Sequence, residues 1–250
     1  MKILITNDDG IWAEGIYKLY LRLKDLGSVT VIAPDRERSS ISHAITLSSP
    51  IRYRYIKAYN NFSGYAVNGT PADCIKLGVG VILRESPDVV VSGINLGQND
   101  GCSVFYSGTV AGAREGALLG IPSIAISLAT FADPDYTYAA EVGAELVRLV
   151  YEKGLPKATF LNVNVPNVNV SEIKGKKITR QCSVPIHTSF EERKDPNQKP
   201  YYWMNGRIDT TIKESSSDTA ALQKNYVTIT PLHCDLTDYE WMKRLDSWEI

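Results

Sequence analysis

The first 35 residues constrain the fold most, because they hold a strand, a helix and a second strand in that order. Lys2–Thr6 is a short apolar run that stops abruptly at Asn7-Asp8-Asp9-Gly10. An apolar run bounded by turn-forming residues reads as a buried strand ending in a polar loop. Ile16, Leu19, Tyr20 and Leu23 then recur at helical spacing, and Gly27 is placed to cap that helix. Val29–Ala33 is the next apolar run, closed by Pro34-Asp35. Two strands joined by one helix must lie parallel, with a right-handed crossover.

The alternation continues through residue 166. Thr70-Pro71-Ala72-Asp73 has the form of a capped helix start, with Thr70 at the N-cap, Pro71 at the first helical position and Asp73 reaching back. Ile75, Val79 and Ile82 mark its apolar face. Val89-Val90-Val91 is apolar on both faces, as a central parallel strand must be. A polar loop from Asn95 leads to Ser107-Gly108-Thr109 and a helix of small residues ending near Gly120. Ile121–Leu128 reads as a strand, Tyr138, Val142, Leu146 and Leu149 as an amphipathic helix, and Thr159–Val165 as a further strand. The expected fold class is α/β: a doubly wound, mostly parallel sheet with a Rossmann-like core over residues 1–166.

Beyond Pro166 the pattern changes, and residues 167–250 read as a C-terminal region. Strand-like stretches at Ile178–Val184 and Tyr201–Met204 flank a charged segment, Glu191–Pro200, too hydrophilic for a core. A projecting hairpin arm is expected there, then a strand at Tyr226–Thr230 and a terminal helix at Asp238–Leu245. A lone two-stranded hairpin is marginal in water, so such an arm normally packs on a partner subunit. Lys174, Lys176 and Lys177 read as a solvated turn.

Charge and cysteine usage remove whole classes of function. With 27 Lys+Arg against 28 Asp+Glu, the net charge of −1 excludes a polybasic binder of nucleic-acid polymers and gives no reason to expect an anionic membrane. The polar break at Asn7 comes too early for a signal peptide, and no run approaches the roughly 18 apolar residues of a membrane span, so a cytoplasmic location is expected. Cys74, Cys102, Cys182 and Cys234 are scattered, as isolated reduced thiols would be. Three histidines without a metal-binding spacing argue against a histidine-rich metal site.

In an open parallel sheet ligands bind beyond the carboxyl ends of the strands, and four polar clusters fall at or near such ends. They are Asn7-Asp8-Asp9-Gly10, Asp35 to Ser40, Ser92-Gly93-Ile94-Asn95 and Tyr106-Ser107-Gly108-Thr109. Adjacent carboxylates such as Asp8 and Asp9 repel one another unless solvent or a cation screens them, and oxygen ligands favour Mg²⁺, Mn²⁺ or Ca²⁺. Asp-Gly is also a strong hairpin signal, but a helical pattern follows Gly10 where a hairpin needs a second strand. A local turn and a metal site both stay open on these residues. Ser107-Gly108-Thr109 reads either as a plain helix cap or as a phosphate seat built from free amides at a positive helix end. Asn95, just after a central strand, is placed to act as a neutral ligand, whereas Ser39 taken alone is an ordinary loop serine. No Walker A loop, no G-x-G-x-x-G after the first strand and no G-x-S-x-G elbow occurs. The clusters together point to metal-assisted phosphate chemistry.

Six motifs in order resemble the SurE family (survival protein E), metal-dependent 5′-nucleotidases. They are Ile5-Thr6-Asn7-Asp8-Asp9-Gly10; Ala33-Pro34-Asp35 through Arg38-Ser39 with Ile45-Thr46-Leu47; Gly69-Thr70-Pro71-Ala72-Asp73-Cys74; Pro87 to Asn95; Tyr106-Ser107-Gly108-Thr109-Val110; and Thr230-Pro231-Leu232. The resemblance implies that Asp8, Asp9, Ser39 and Asn95 hold one divalent metal per subunit, Mg²⁺ or Mn²⁺. It implies that Asn95, Ser107, Gly108 and Thr109 bind phosphate, with Asp8 and Asp9 also catalytic. It further implies nucleoside 5′-monophosphate substrates, sometimes 3′-monophosphates or short polyphosphate, and a homodimer or homotetramer built through C-terminal arms. Glu14 and Ser103 depart from the family pattern, where Pro and Asp are common. His233 reads either as a proton donor near a site or as a structural histidine. The reading is a nucleoside monophosphate phosphatase; the alternatives are a polyphosphatase or broad acid phosphatase, and a non-catalytic nucleotide sensor.

Overall fold

Burial on both faces shapes the first half of the chain. The computed structural model describes residues 1–57, 62–185, 187–207 and 216–248. β1 (Lys2–Thr6) is buried from Ile3 onward, with Ile3 and Ile5 on one face of the sheet and Leu4 on the other. α1 (Glu14–Leu23) turns Ile16, Leu19 and Leu23 onto the Ile3 face, and β2 (Ser28–Pro34) pairs parallel to β1. β3 (Tyr53–Lys57) and β4 (Ser63–Val67) form an antiparallel edge pair, with β4 parallel to β2. α2 (Pro71–Leu77) starts with the expected capping box: the Thr70 hydroxyl accepts from the Asp73 amide, and the Asp73 carboxylate accepts from the Thr70 amide.

β5 (Val89–Leu96) is the central strand and runs further than the Val89-Val91 core suggested, carrying Asn95 within it. α3 (Gly108–Leu118), β6 (Ser123–Ala129), α4 (Thr137–Lys153) and β7 (Thr159–Pro166) complete the alternation. α3 is made of small residues because it lies unusually close to the sheet. A Cβ on Gly116 would stand 2.3 Å from Ser123 Oγ, and one on Gly112 would stand 2.7 Å from Ser92 Oγ. β8 (Lys176–Ile178), β9 (His187–Lys194), β10 (Pro200–Arg207), α5 (Asp218–Leu222), β11 (Val227–His233) and α6 (Tyr239–Leu245) follow. Among the described residues the main sheet has nine strands in the order β3-β4-β2-β1-β5-β6-β7-β11-β8, and β9 and β10 pair separately as an antiparallel hairpin. The chain is thus an α/β protein, its sheet mostly parallel, with α1 and α4 on one face and α2 and α3 on the other. No helix among the described residues is long and apolar enough to cross a membrane.

Several local expectations need correction. Gly27 does not cap α1: the Lys24 amide already bonds to the Tyr20 carbonyl, and Gly27 instead passes the Met1 carbonyl, where a Cβ would stand 2.1 Å away. Leu149 is exposed, and Val150 takes its place on the buried face of α4. Of the strand expected at Ile178–Val184 only Ile178 lies in a strand, as the last residue of the three-residue β8, and a single bridge from Arg180 to Ser217 follows. The first strand of the hairpin is β9, which overlaps the segment read as a polar connection. Every residue of β9 is exposed, so its sequence carries no buried alternation to betray a strand.

Glu115, in the interior of α3, is a buried carboxylate held by Lys76 and His43. Lys76 Nζ lies 2.7 Å from Oε1 and His43 Nε2 lies 2.9 Å from Oε2. Burial alone pushes its pKa up, but the hydrogen bonds and charges of His43 and Lys76 outweigh this and hold the carboxyl below its ordinary value. A depressed folded-state pKa contributes stability that is present above the unfolded value of 4.5 and lost as pH falls through the folded value. Glu115→Gln should therefore lower the denaturation midpoint at pH 7, by about 1.5 kcal/mol in free energy, because Lys76 is half exposed and is not left as a buried charge. The gap to wild type should narrow below pH 4.5. Urea melts of both proteins at pH 7 and pH 3.5 check this, and a gap that widens in acid contradicts it.

Candidate active site

β1 sits where the sheet order reverses, with β2 on one side and β5 on the other. At this switch point the loops after neighbouring strands diverge and leave a crevice. A cavity of about 220 Å³ lies there, with Asp8, Ser39, Asn95 and Ser107 among its lining residues. Three separated sequence motifs and the cap of α3 thus meet in one place.

Asp8 is 4 % exposed, and its carboxylate is held from behind by the start of α3. Thr109 Oγ1 donates to Asp8 Oδ1, and the amides of Gly108 and Thr109 hydrogen-bond to the same group. The approach depends on a missing side chain, since a Cβ on Gly108 would stand 2.8 Å from Asp8 Oδ2. Burial raises the Asp8 pKa, and these hydrogen bonds only partly offset it. The positive end of the helix therefore faces a carboxylate of the protein itself, and Ser107 uses its hydroxyl to cap the Val110 amide at 3.0 Å.

Asp9 is pushed up to about 7, first by burial, then by the Asp8 charge beside it and, more weakly, by Glu37. Its Oδ2 accepts from the Leu96 amide at 3.2 Å, which ties the loop after β1 to the end of β5. Asn95 lies beside it with its amide oriented: Nδ2 donates to the Gly97 carbonyl at 2.7 Å, and Oδ1 lies 3.3 Å from the Thr109 hydroxyl. A glycine is also required below it, because a Cβ on Gly15 of α1 would stand 2.0 Å from the Ile94 carbonyl. Ser39 is exposed and donates its hydroxyl proton to Glu37 Oε1 at 2.7 Å, leaving oxygen lone pairs for a cation.

Of the residues singled out in the sequence, Asp8, Ser39, Asn95 and Ser107 line the cavity directly. Asp9 joins it through Leu96, while Gly108 and Thr109 stand behind Asp8. His233 is not among the lining residues; its ring accepts from the Asp235 amide at 3.0 Å in a local turn, the structural of its two readings. Sequence reasoning missed Phe131 and Gln98, which also line the cavity, because loop residues without periodicity carry no signal of their own. Glu37, inside the Asp35 to Ser40 cluster, gave no sign that it would contact Ser39.

A family model described as Survival protein SurE matches residues 3–188. The chain belongs to the SurE family. A relative from Thermoanaerobacter sp. (strain X514), named 5′-nucleotidase SurE, is 48 % identical over 250 residues, covering 100 % of this chain and 99 % of that protein. One of the same name from Syntrophobacter fumaroxidans is 42 % identical and covers both chains fully. The crystal structure of the SurE protein from Aquifex aeolicus superposes with a TM-score of 0.87 at 43 % identity, again over the whole of both chains. Of the two departures from the SurE pattern, Glu14 opens α1 and pairs with Lys18 at 3.6 Å. Ser103 lines the cavity, where it donates to the Asp100 carbonyl.

Proposed function

We propose that this SurE-family chain is a metal-dependent phosphomonoesterase that hydrolyses nucleoside 5′-monophosphates to nucleoside and phosphate. One observation carries the chemistry: a cavity lined by the Asp8 carboxylate, with Asp9 beside it, has no Lys or Arg among its described lining residues. A phosphate dianion cannot enter such a place against like charge unless a cation stands between them. The full-length relatives named 5′-nucleotidase supply the substrate class.

The residues present fit a hard divalent ion. No group of three or more His, Cys, Asp or Glu occurs among the described residues in a metal-holding arrangement, which leaves a mixed oxygen set. Asp8 and Asp9 supply charge, Asn95 Oδ1 and Ser39 Oγ supply neutral donors, and Mg²⁺ or Mn²⁺ suits that chemistry. Such an ion neutralises phosphoryl oxygens and lowers the pKa of a bound water. Asp9, less deeply buried than Asp8, is placed to orient an attacking water and accept its proton. Ser107 presents its oxygen beside Asp8 where phosphate would lie, and Thr109 and Gly108 keep the Asp8 carboxylate in place. Thr109 and Gly108 therefore serve phosphate indirectly, by positioning Asp8.

The exposed aromatics Phe190, Tyr201, Tyr202 and Trp203 on the β9–β10 hairpin support a homodimer or homotetramer joined through these arms. We take the protein to act in the cytoplasm, with residues 1–166 as catalytic core and 167–250 as the assembling region. A phosphate-release panel with Mn²⁺ or Mg²⁺ tests the reading. AMP and GMP are expected to release phosphate faster than tripolyphosphate or glycerol phosphate. Preference for polyphosphate supports the polyphosphatase alternative, and AMP binding without release supports the sensor.

A further inference from the structure

At about 220 Å³ the cavity is smaller than the roughly 300–1,000 Å³ that encloses a whole small ligand. A mononucleotide seated by its phosphate beside Asp8 must leave its base at the mouth. Phe131 lines the cavity and is strongly exposed, at 76 %, which places it at the solvent-facing edge. Exposed single apolar residues need no explanation by themselves, but one edge of this ring packs on the backbone of the cavity loop. It lies against Gly97, where a Cβ would stand 2.4 Å from the ring Cε1, and Gly97 has a φ of +105° that favours glycine. The Gly97 carbonyl is the acceptor that orients Asn95, so the ring rests on the same backbone that aims a proposed metal ligand. The Thr130 hydroxyl brackets Phe131, donating to the Ala132 carbonyl at 2.6 Å and accepting from the Ala132 amide at 3.2 Å.

We propose that the Phe131 ring is the platform on which the nucleobase of the substrate stacks, making it a specificity-determining residue. The inference rests on the phosphatase reading of the same cavity and names the part of the substrate that reading leaves unplaced. Stacking on an exposed ring face needs only a π surface, so the platform favours any nucleotide over a sugar phosphate and discriminates little among bases.

The test compares AMP with ribose 5-phosphate, which shares the phosphate and sugar but lacks the base. In steady-state kinetics with Mn²⁺, Phe131→Ala is expected to lower the ratio of kcat/KM for AMP to that for ribose 5-phosphate about tenfold, through KM for AMP. Phe131→Trp should restore the ratio. Calorimetric binding of AMP and of ribose 5-phosphate to wild type and Phe131→Ala gives a readout independent of turnover. An unchanged ratio, equal losses on both ligands, or a change confined to oligomeric state overturns the platform. If wild type hydrolyses neither compound, the phosphatase reading fails. The platform then stands on a selective loss of AMP binding in Phe131→Ala and falls without one.

Discussion

Asp8→Asn is expected to lower AMP hydrolysis by about a thousandfold, the scale of losing one preorganised charged group in a water-poor site. The two side chains are nearly isosteric, so the variant should keep the packing of Asp8 against Thr109 and Gly108. What it loses is the negative charge that, with Asp9, is proposed to hold the cation. That charge is costly to the fold, since burial raises the Asp8 pKa despite the hydrogen bonds it receives. The thermal midpoint of Asp8→Asn should therefore match or exceed wild type, the trade of stability against function usual at active sites. Parallel measurement of kcat on AMP and of the melting curve checks both halves. Near-normal turnover in a folded variant would remove Asp8 from the machinery.

The second large effect comes from a residue with no side chain. In Gly108→Ala the new Cβ would stand 2.8 Å from both Cβ and Oδ2 of Asp8, closer than real contacts of this kind. Either the carboxylate or the first turn of α3 must move. Gly108 does not have a positive φ, and alanine is the better helix former, so the backbone itself does not resist the change. The expected outcome is a folded protein whose kcat on AMP falls about a hundredfold, as displacements near 1 Å at a reacting centre do. Wild-type activity in this variant would mean that Asp8 has room to spare, and that the close fit of α3 serves packing alone.

The parts of the fold read correctly from the sequence are those whose burial leaves a period. Ile3, Leu4 and Ile5, or Val89, Val90 and Val91, are apolar on both faces because helices cover both. Thr70, Pro71 and Asp73 announced a helix start because each satisfies a backbone group at a fixed offset. The hairpin strand β9, exposed along its whole length, and the edge pair β3–β4 lacked such a signature. The same contrast holds at the site. Asp8 and Asn95 stand at the ends of strands next to the reversal in strand order, so topology alone brings them together. Ser39 sits in a loop and drew attention only through the family pattern. The helix start at Ser107 was legible as a cap, but not that its amides would turn to Asp8. That depends on how closely α3 approaches β1, a distance set by Gly108, Gly112 and the surfaces facing them.

The most direct test of the central claim is phosphate release from AMP by protein first stripped of metal with a chelator and then dialysed free of it. Negligible release is expected from the stripped protein, with recovery on adding stoichiometric Mn²⁺ or Mg²⁺ and no recovery in Asp8→Asn. Undiminished hydrolysis of AMP by the stripped protein would contradict it.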